Sequence, residues 1–272
     1  MEPILQVEDL HFQYPDGTPA LSGVSFAIQR GTRVALMGPN GAGKSTLLLH
    51  LNAIYLPQRG RVVVDGLEAS RTTEEQIRSQ VGLVFQDPDD QVFSPTVWED
   101  VCFGPRNMGL SGPEVEARAQ AALEAVGLLH LRSRSPQRLS FGQKKRAAIA
   151  GVLAMEPAIL ALDEPMAFLD PEAQEGLEAI LNRLHQQGVT LLVATHDVDW
   201  AAAWADEIIL LVGGRILAQG PPSLLTDPEL VRTAHLRLPR ITELCLQFPE
   251  LRPVPYTIHQ AAAALRPRKS GG

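Results

Sequence analysis

The chain has 272 residues, 45% hydrophobic and 20% charged, with a formal net charge of −7. That length accommodates one large α/β domain with an appendage, or two small domains. The acidic balance argues against nucleic-acid binding by bulk charge, and no run reaches the ~18 apolar residues of a membrane span.

The opening stretch, "MEPILQVEDL", reads as neither a signal nor a transit peptide. Cys102 and Cys245 lack the spacing of a disulfide framework or a metal site and fit a reducing, cytoplasmic setting. Residues Ile4–Glu8 and Val24–Ile28 alternate in twos and predict half-buried strands, paired antiparallel around a turn at Asp16-Gly17. Val34–Met37, Ile159–Leu162 and Thr190–Ala194 are instead continuous apolar runs, the pattern of parallel strands buried on both faces.

Directly after Val34–Met37 comes Gly38-Pro39-Asn40-Gly41-Ala42-Gly43-Lys44-Ser45, which fits G-x-x-x-x-G-K-[ST], and Thr46 then leads into the helical "TLLLHLN". Strand, glycine loop and helix in that order suit a triphosphate. Glycines let backbone N–H groups close on phosphate oxygens, and the helix dipole adds to their pull. Lys44 can reach the β- and γ-phosphates, and the Ser45 hydroxyl can ligand Mg²⁺. Gln86 follows the apolar "VGLVF" as a strand-end polar group; a plain loop glutamine is the other reading.

Ser111-Gly112-Pro113-Glu114 predicts a helix start, with the helix running to about Val126 and stopping at Gly127. "LSFGQKKR" begins a further helix and places Lys144, Lys145 and Arg146 near its positive end, where cations are unfavourable. Either these cations point into water, or this end meets something strongly negative.

The strand Ala158–Leu162 runs into Asp163-Glu164-Pro165. Ligands in open α/β sheets sit at the carboxyl ends of strands. There Asp163 would hold Mg²⁺ through water, and Glu164 would orient or deprotonate an attacking water. The alternative is a pair of acids capping the next turn. Pro165 predicts an extended backbone at Glu164. Asp170-Pro171-Glu172 is a helix start, with Asp170 as N-cap and no chemistry assigned to it. His196 ends the strand "VTLLVATH" at the same sheet edge, within reach of a γ-phosphate or its attacking water; a structural histidine is the other reading. Ile208–Leu217 predicts a hairpin through Gly213-Gly214. After about Asp227 prolines and arginines break up short apolar patches, and the tail "RPRKSGG" is expected to be disordered. No internal repeat is present.

Taken together, Tyr14, "GPNGAGKST", Gln86, "LSFGQ", "ILALDEP", Asp170 and His196 resemble the ATP-binding-cassette (ABC) ATPases over about residues 3–225. The resemblance implies an α/β P-loop fold with a mainly parallel core sheet and an N-terminal antiparallel β subdomain. It also implies a helical signature subdomain at about 87–156. Residues 1–226 would form the nucleotide-binding domain and 227–272 a small C-terminal extension. It further implies a head-to-tail dimer with ATP and Mg²⁺ between one copy's P-loop and the other's signature. Ser140, the Gly142 backbone and Gln143 would then face the partner's γ-phosphate. Tyr14 would stack on adenine, and Gln86 would sense Mg²⁺ and a membrane partner. Lys144, Lys145 and Arg146 would lie one turn back, raising the local potential or facing solvent or a partner.

Three stretches resemble the energy-coupling-factor importers, specifically the ATPase subunit of cobalt or nickel uptake: "LSFGQKKRAAIAGVLAMEP", "DPDDQVFSPTVWEDVCFGPRNMGLS" and "LRLPRITEL". By that resemblance Asp87, Asp89 and Asp90 would meet arginines of a membrane subunit or form a solvated turn, and the tail would dimerise. The partners implied are a second ATPase subunit (identical or not), a transmembrane coupling subunit and a substrate-binding subunit, with the chain on the cytoplasmic face of the membrane. Vitamin uptake is the alternative cargo within the same class. Phe141, Met166 and Phe168 depart from the family's usual glycine, threonine and glycine. The last two raise a catalytically dead cassette as a rival, against which Glu164 and His196 argue. A soluble cassette acting on nucleic acid or ribosomes is disfavoured by the single P-loop and the acidic balance.

Overall fold

The computed structural model describes residues 2–266, so all but the first residue of "RPRKSGG" lies outside the described residues. Strands β1 (Leu5–Gln13), β2 (Pro19–Ile28) and β3 (Arg33–Met37) precede helix α1 (Lys44–Leu51), β4 (Arg59–Val64), β5 (Leu67–Glu68), α2 (Glu74–Gln80) and β6 (Val81–Val84). Three helices follow, α3 (Val97–Asn107), α4 (Gly112–Ala125) and α5 (Phe141–Leu153). Then come β7 (Ile159–Asp163), α6 (Pro171–Gln186), β8 (Thr190–Thr195), α7 (Val198–Trp204) and the hairpin β9 (Glu207–Val212) and β10 (Arg215–Gly220). Helices α8 (Pro228–Thr233), α9 (Arg240–Cys245) and α10 (Ile258–Leu265) end the described chain.

The strands form two sheets. An antiparallel sheet has the order β2-β1-β4-β5, and a six-stranded sheet has the order β10-β9-β3-β8-β7-β6. The larger is parallel from β9 to β6, and β10 alone runs antiparallel on its edge. The continuous apolar runs have their expected cause, since β7 and β8 are buried at every residue. Alternate side chains serve opposite faces. Val34, Leu36, Ile159 and Ala161 pack with α1 and the antiparallel sheet, while Ala35, Met37, Leu160 and Leu162 pack with α3–α6. Each fully buried aliphatic side chain contributes about 1.5–3 kcal/mol, and continuous runs are what a sheet with two cores requires.

Helix α4 starts as predicted, with a capping box between Ser111 and Glu114. Asp170 is the N-cap of α6, its carboxylate accepting from the Ala173 N–H at 2.8 Å. Helix α3 had no predicted start. Its cap is Thr96, which accepts from the Glu99 N–H, and its buried face (Val101, Cys102) packs on Val115 and Ala119 of α4 and Ala147 of α5.

The glycine loop between β3 and α1 is wedged between the sheets. A Cβ on Gly38 would lie 2.0 Å from the Leu211 carbonyl of β9. One on Gly43, where φ is +102°, would lie 2.7 Å from the Ala20 carbonyl of β2, and only glycine tolerates such contacts. Gly214, in the β9–β10 turn, donates to the Ala42 carbonyl, and its own carbonyl accepts from Ser22.

Candidate active site

Four strand ends meet at one edge of the large sheet. β3 delivers the glycine loop, β7 delivers Asp163 and Glu164, β8 delivers His196, and Gln86 lies two residues beyond β6. They open onto a cleft of about 710 Å³ that includes Tyr14, Asn40 through Thr46, Gln86, Asp163, Glu164 and His196. Gly38 and Pro39 lie beneath it and offer their carbonyls to Lys44, whose Nζ donates to them at 2.8 and 3.2 Å. Ser140, Gly142 and Gln143 do not join this cleft. They line a separate one of about 280 Å³ beside Asp170, and Phe168 borders both. Within one copy, then, the signature and the phosphate loop are apart.

The charges are set by burial. Desolvation pulls the Lys44 ammonium below the ordinary lysine range, and Glu164 and Asp163 partly restore it. Desolvation pushes the Asp163 carboxyl above the ordinary range, while the Ser45 hydroxyl beside it acts in the opposite direction. Glu164 Oε1 lies 2.9 Å from His196 Nδ1; the carboxylate is 11% exposed and the imidazole 67%. The backbone of Glu164 corrects the sequence expectation. It is left-handed, with φ +44°, rather than extended. Its N–H donates across to the Ala194 carbonyl of β8 and its carbonyl accepts from Ala167, so a turn wins over the steric preference that Pro165 imposes. Left-handed non-glycine residues cost about 1–3 kcal/mol and cluster at functional sites. Phe168 is a second, with φ +63° and 81% exposure. Met166, the neighbouring departure, is buried in the core.

None of the three cations of "LSFGQKKR" is free in solvent. Lys144 pairs with Asp89 at 2.6 Å, and Arg146 Nη1 donates to the Val126 carbonyl. Lys145 is fully buried, with its Nζ 2.6 Å from the Gln86 carbonyl. Neither a solvated nor a partner-facing position holds for Lys145. Asp89 is likewise engaged within the chain, and Asp87 caps a short 3₁₀ turn at Pro88–Asp90.

Sequence reasoning missed His50. One turn beyond Thr46, it is wholly buried, with Nδ1 2.8 Å from the Thr46 carbonyl and no partner for Nε2 among the described residues. Burial pulls its pKa down, so it is neutral, with the Nδ1 proton donated to Thr46. Tyr14 approaches the same threonine from the cleft side, its hydroxyl 2.7 Å from Thr46 Oγ1. The packing of half-buried Phe12 edge-on against both Tyr14 and His50 completes an aromatic support for α1. A histidine with no polar neighbour in sequence gives no signal of that role.

A phosphate-type loop, an acidic strand end and a histidine strand end on one parallel sheet define a nucleotide-hydrolysing cassette. The ABC transporter family profile matches residues 21–167. The energy-coupling factor transporter ATP-binding protein EcfA of Carboxydothermus hydrogenoformans is 50% identical over 262 residues, covering 96% of this chain and 97% of that protein. EcfA of Methanocaldococcus jannaschii is 48% identical over 244 residues, covering 89% and 88%. Among solved structures, cbiO1 from Clostridium perfringens, part of the ABC transporter complex cbiONQ, superposes with a TM-score of 0.76 at 43% identity, covering 90% of this chain and 99% of that one. The dimeric cassette MJ0796, in a post-hydrolysis state bound to ADP and Pi, gives 0.72 at 30% identity, covering 80% and 98%. The chain belongs to the energy-coupling-factor transporter ATP-binding proteins, the ATPase subunits that power this class of membrane transporter.

Proposed function

We propose that this chain hydrolyses ATP at the interface of a head-to-tail dimer to drive uptake of cobalt or nickel. The observation that carries the hydrolytic reading is the convergence of Lys44, Asp163, Glu164 and His196 on one cleft. The loop amides and Lys44 bind the triphosphate, and Tyr14 stacks on the base. Glu164 accepts a proton from the attacking water, and His196, bonded to its Oε1, fixes the carboxylate and reaches the γ-phosphate. The Ser45 hydroxyl, the Asp163 carboxylate and the Gln86 amide oxygen are hard donors that suit Mg²⁺ completed by phosphate oxygens and water. When bound, that ion neutralises charge on the β- and γ-oxygens. Ser140, Gly142 and Gln143 close on the triphosphate of the second copy, which fits their separation from this chain's own cleft. The Glu164–His196 pair argues for a live site and against a regulatory dead cassette.

A groove of about 800 Å³ between the core and the α3–α5 layer supports docking of a transmembrane coupling subunit. Its walls include Ile54, Phe93, Phe103 and Met108, all large and exposed, and Phe93 and Phe103 meet edge to face at 4.9 Å. Among the described residues no helix is long and apolar enough to cross a membrane. Docking on that subunit would hold the chain at the cytoplasmic face. A substrate-binding subunit completes the importer. Among the described residues no group of three His, Cys, Asp or Glu side chains is arranged to hold a metal ion. On this reading metal selectivity resides in the membrane partners. The cobalt assignment draws on the three motif stretches and the similarity to cbiO1. Exposed Leu244, Phe248 and Ile258 suit the C-terminal segment to dimerisation.

Glu164→Gln is expected to retain ATP binding and to lower kcat by about 10²–10⁴, the range for a lost general base. A near-normal rate refutes the assignment. ATP-driven Co²⁺ uptake by vesicles carrying the assembled transporter tests the cargo. Uptake of a vitamin with none of Co²⁺ or Ni²⁺ replaces it.

A further inference from the structure

The largest fully buried side chain in the described residues belongs to a lysine, Lys145 of α5. A buried ammonium is retained only where its neighbours replace most of what water supplied. Its neighbours here are specific. Nζ lies 2.6 Å from the Gln86 carbonyl and 3.5 Å from the Glu164 carbonyl, and it sits 5.4 Å from the centre of the Phe141 ring. Asp87, Asp163 and Glu164 add favourable charge. The two carbonyls belong to residues just past the ends of β6 and β7, adjacent strands whose following side chains line the nucleotide cleft. The Glu164 backbone is left-handed, held through its N–H by Ala194 and through its carbonyl by Ala167 and this ammonium.

We infer that Lys145 is a positioning residue for hydrolysis: from the helix that carries the signature, it ties the backbones of Gln86 and Glu164 together and so fixes where the catalytic carboxylate points. The inference rests on Glu164 being the base. Lys144, its neighbour, makes only a partly exposed ion pair with Asp89, of a type that adds little in water, and serves as the control. Misplacement of a reacting group by about 1 Å costs up to about 10²-fold in rate, so the loss belongs in kcat and not in ATP binding.

The test uses the full-length chain with its transporter partners and measures kcat, KM and the equilibrium Kd for ATP. Lys145→Met is expected to lower kcat about 10- to 100-fold, with KM and Kd within about threefold of wild type. Lys145→Gln keeps an N–H donor and is expected to recover most of that rate, and Lys144→Ala to stay within about threefold of wild type. A Lys145→Met kcat within twofold of wild type, or a loss confined to KM and Kd, overturns the inference. If Lys145→Met does not fold, amide exchange in Lys145→Ser, whose side chain is too short to reach either carbonyl, decides: residues 85–91 and 164–168 exchange severalfold faster, with the rest unchanged, or the inference is wrong. Glu164→Gln, run in parallel, separates the two readings. A normal rate there removes the base itself, whatever Lys145 does.

Discussion

Helices α1 and α5 both begin with an amide-rich end assigned to a triphosphate, but the two ends are finished in opposite ways. At α1 the N-cap is Gly43, left-handed, with no side chain to satisfy the first N–H groups. At α5 the end is partly closed by a capping box: Ser140 Oγ accepts from the Gln143 N–H at 3.3 Å, and Gln143 Oε1 accepts from the Ser140 N–H at 3.0 Å. Their lysines differ too. Lys44 sits at the cleft with its ammonium on the loop carbonyls, whereas Lys145 turns inward and is buried. The first end is open to phosphate before any arrives. The second is satisfied within its own chain at Ser140 and Gln143, so a phosphate that takes those groups competes with existing hydrogen bonds. On the proposed reading, a site of the first kind binds by itself, and one of the second kind contributes only when a second copy presses a nucleotide against it.

The largest effect that sharpens this contrast is on stability. Burial pulls Lys145 down to about 8, so between about pH 8 and the ordinary lysine value of 10.5 the unfolded chain holds a proton that the folded chain has released. Stability contributed at this site therefore rises with pH across that window and is flat below it. Denaturant unfolding of wild type and Lys145→Met should show wild type gaining up to about 3 kcal/mol on the variant from pH 8 to 10.5. No pH dependence of that difference would mean the lysine is not desolvated. Next, Lys44→Ala should weaken ATP binding by the isolated chain about 10- to 100-fold, the loss of a charge-assisted contact of about 1.5–3 kcal/mol. Titration calorimetry giving an unchanged Kd would contradict an open α1 end. Ser140→Ala should cost about 1 kcal/mol of fold stability through its cap while leaving that Kd alone. If the Kd changes instead, the two ends are not separate within one chain. The smallest effect concerns Phe168, which borders both clefts. Phe168→Gly relieves a left-handed phenylalanine at some cost in unfolded-chain entropy, for a net gain of about 0.5 kcal/mol seen as a slightly raised melting temperature.

The open end was legible in sequence and the closed one only in part. Strand, glycine loop and lysine lie within a dozen residues, and local chemistry alone predicts their arrangement. The acid pair and His196 were legible because continuous apolar runs mark buried strands and ligands gather at strand ends. The fate of Lys145 was not, because its acceptors come from segments 59 and 19 residues away and nothing in "LSFGQKKR" encodes which cation is enclosed. Glu164 misled for a related reason. Pro165 gives a local rule, but the hydrogen bond to Ala194 on the neighbouring strand overrides it. His50 escaped because Phe12, which packs edge-on against its ring, lies far away in sequence and joins it only in three dimensions.

The glycine loop acts as a keystone. The Ala20 carbonyl of β2 abuts both Gly43 and Gly214, and Gly38 abuts Leu211 of β9, so neither sheet can separate from the other without springing the loop. Any molecule that grips the loop therefore raises the melting point of both sheets in a single step, and heat cannot unravel one half of the core while the other still holds its nucleotide.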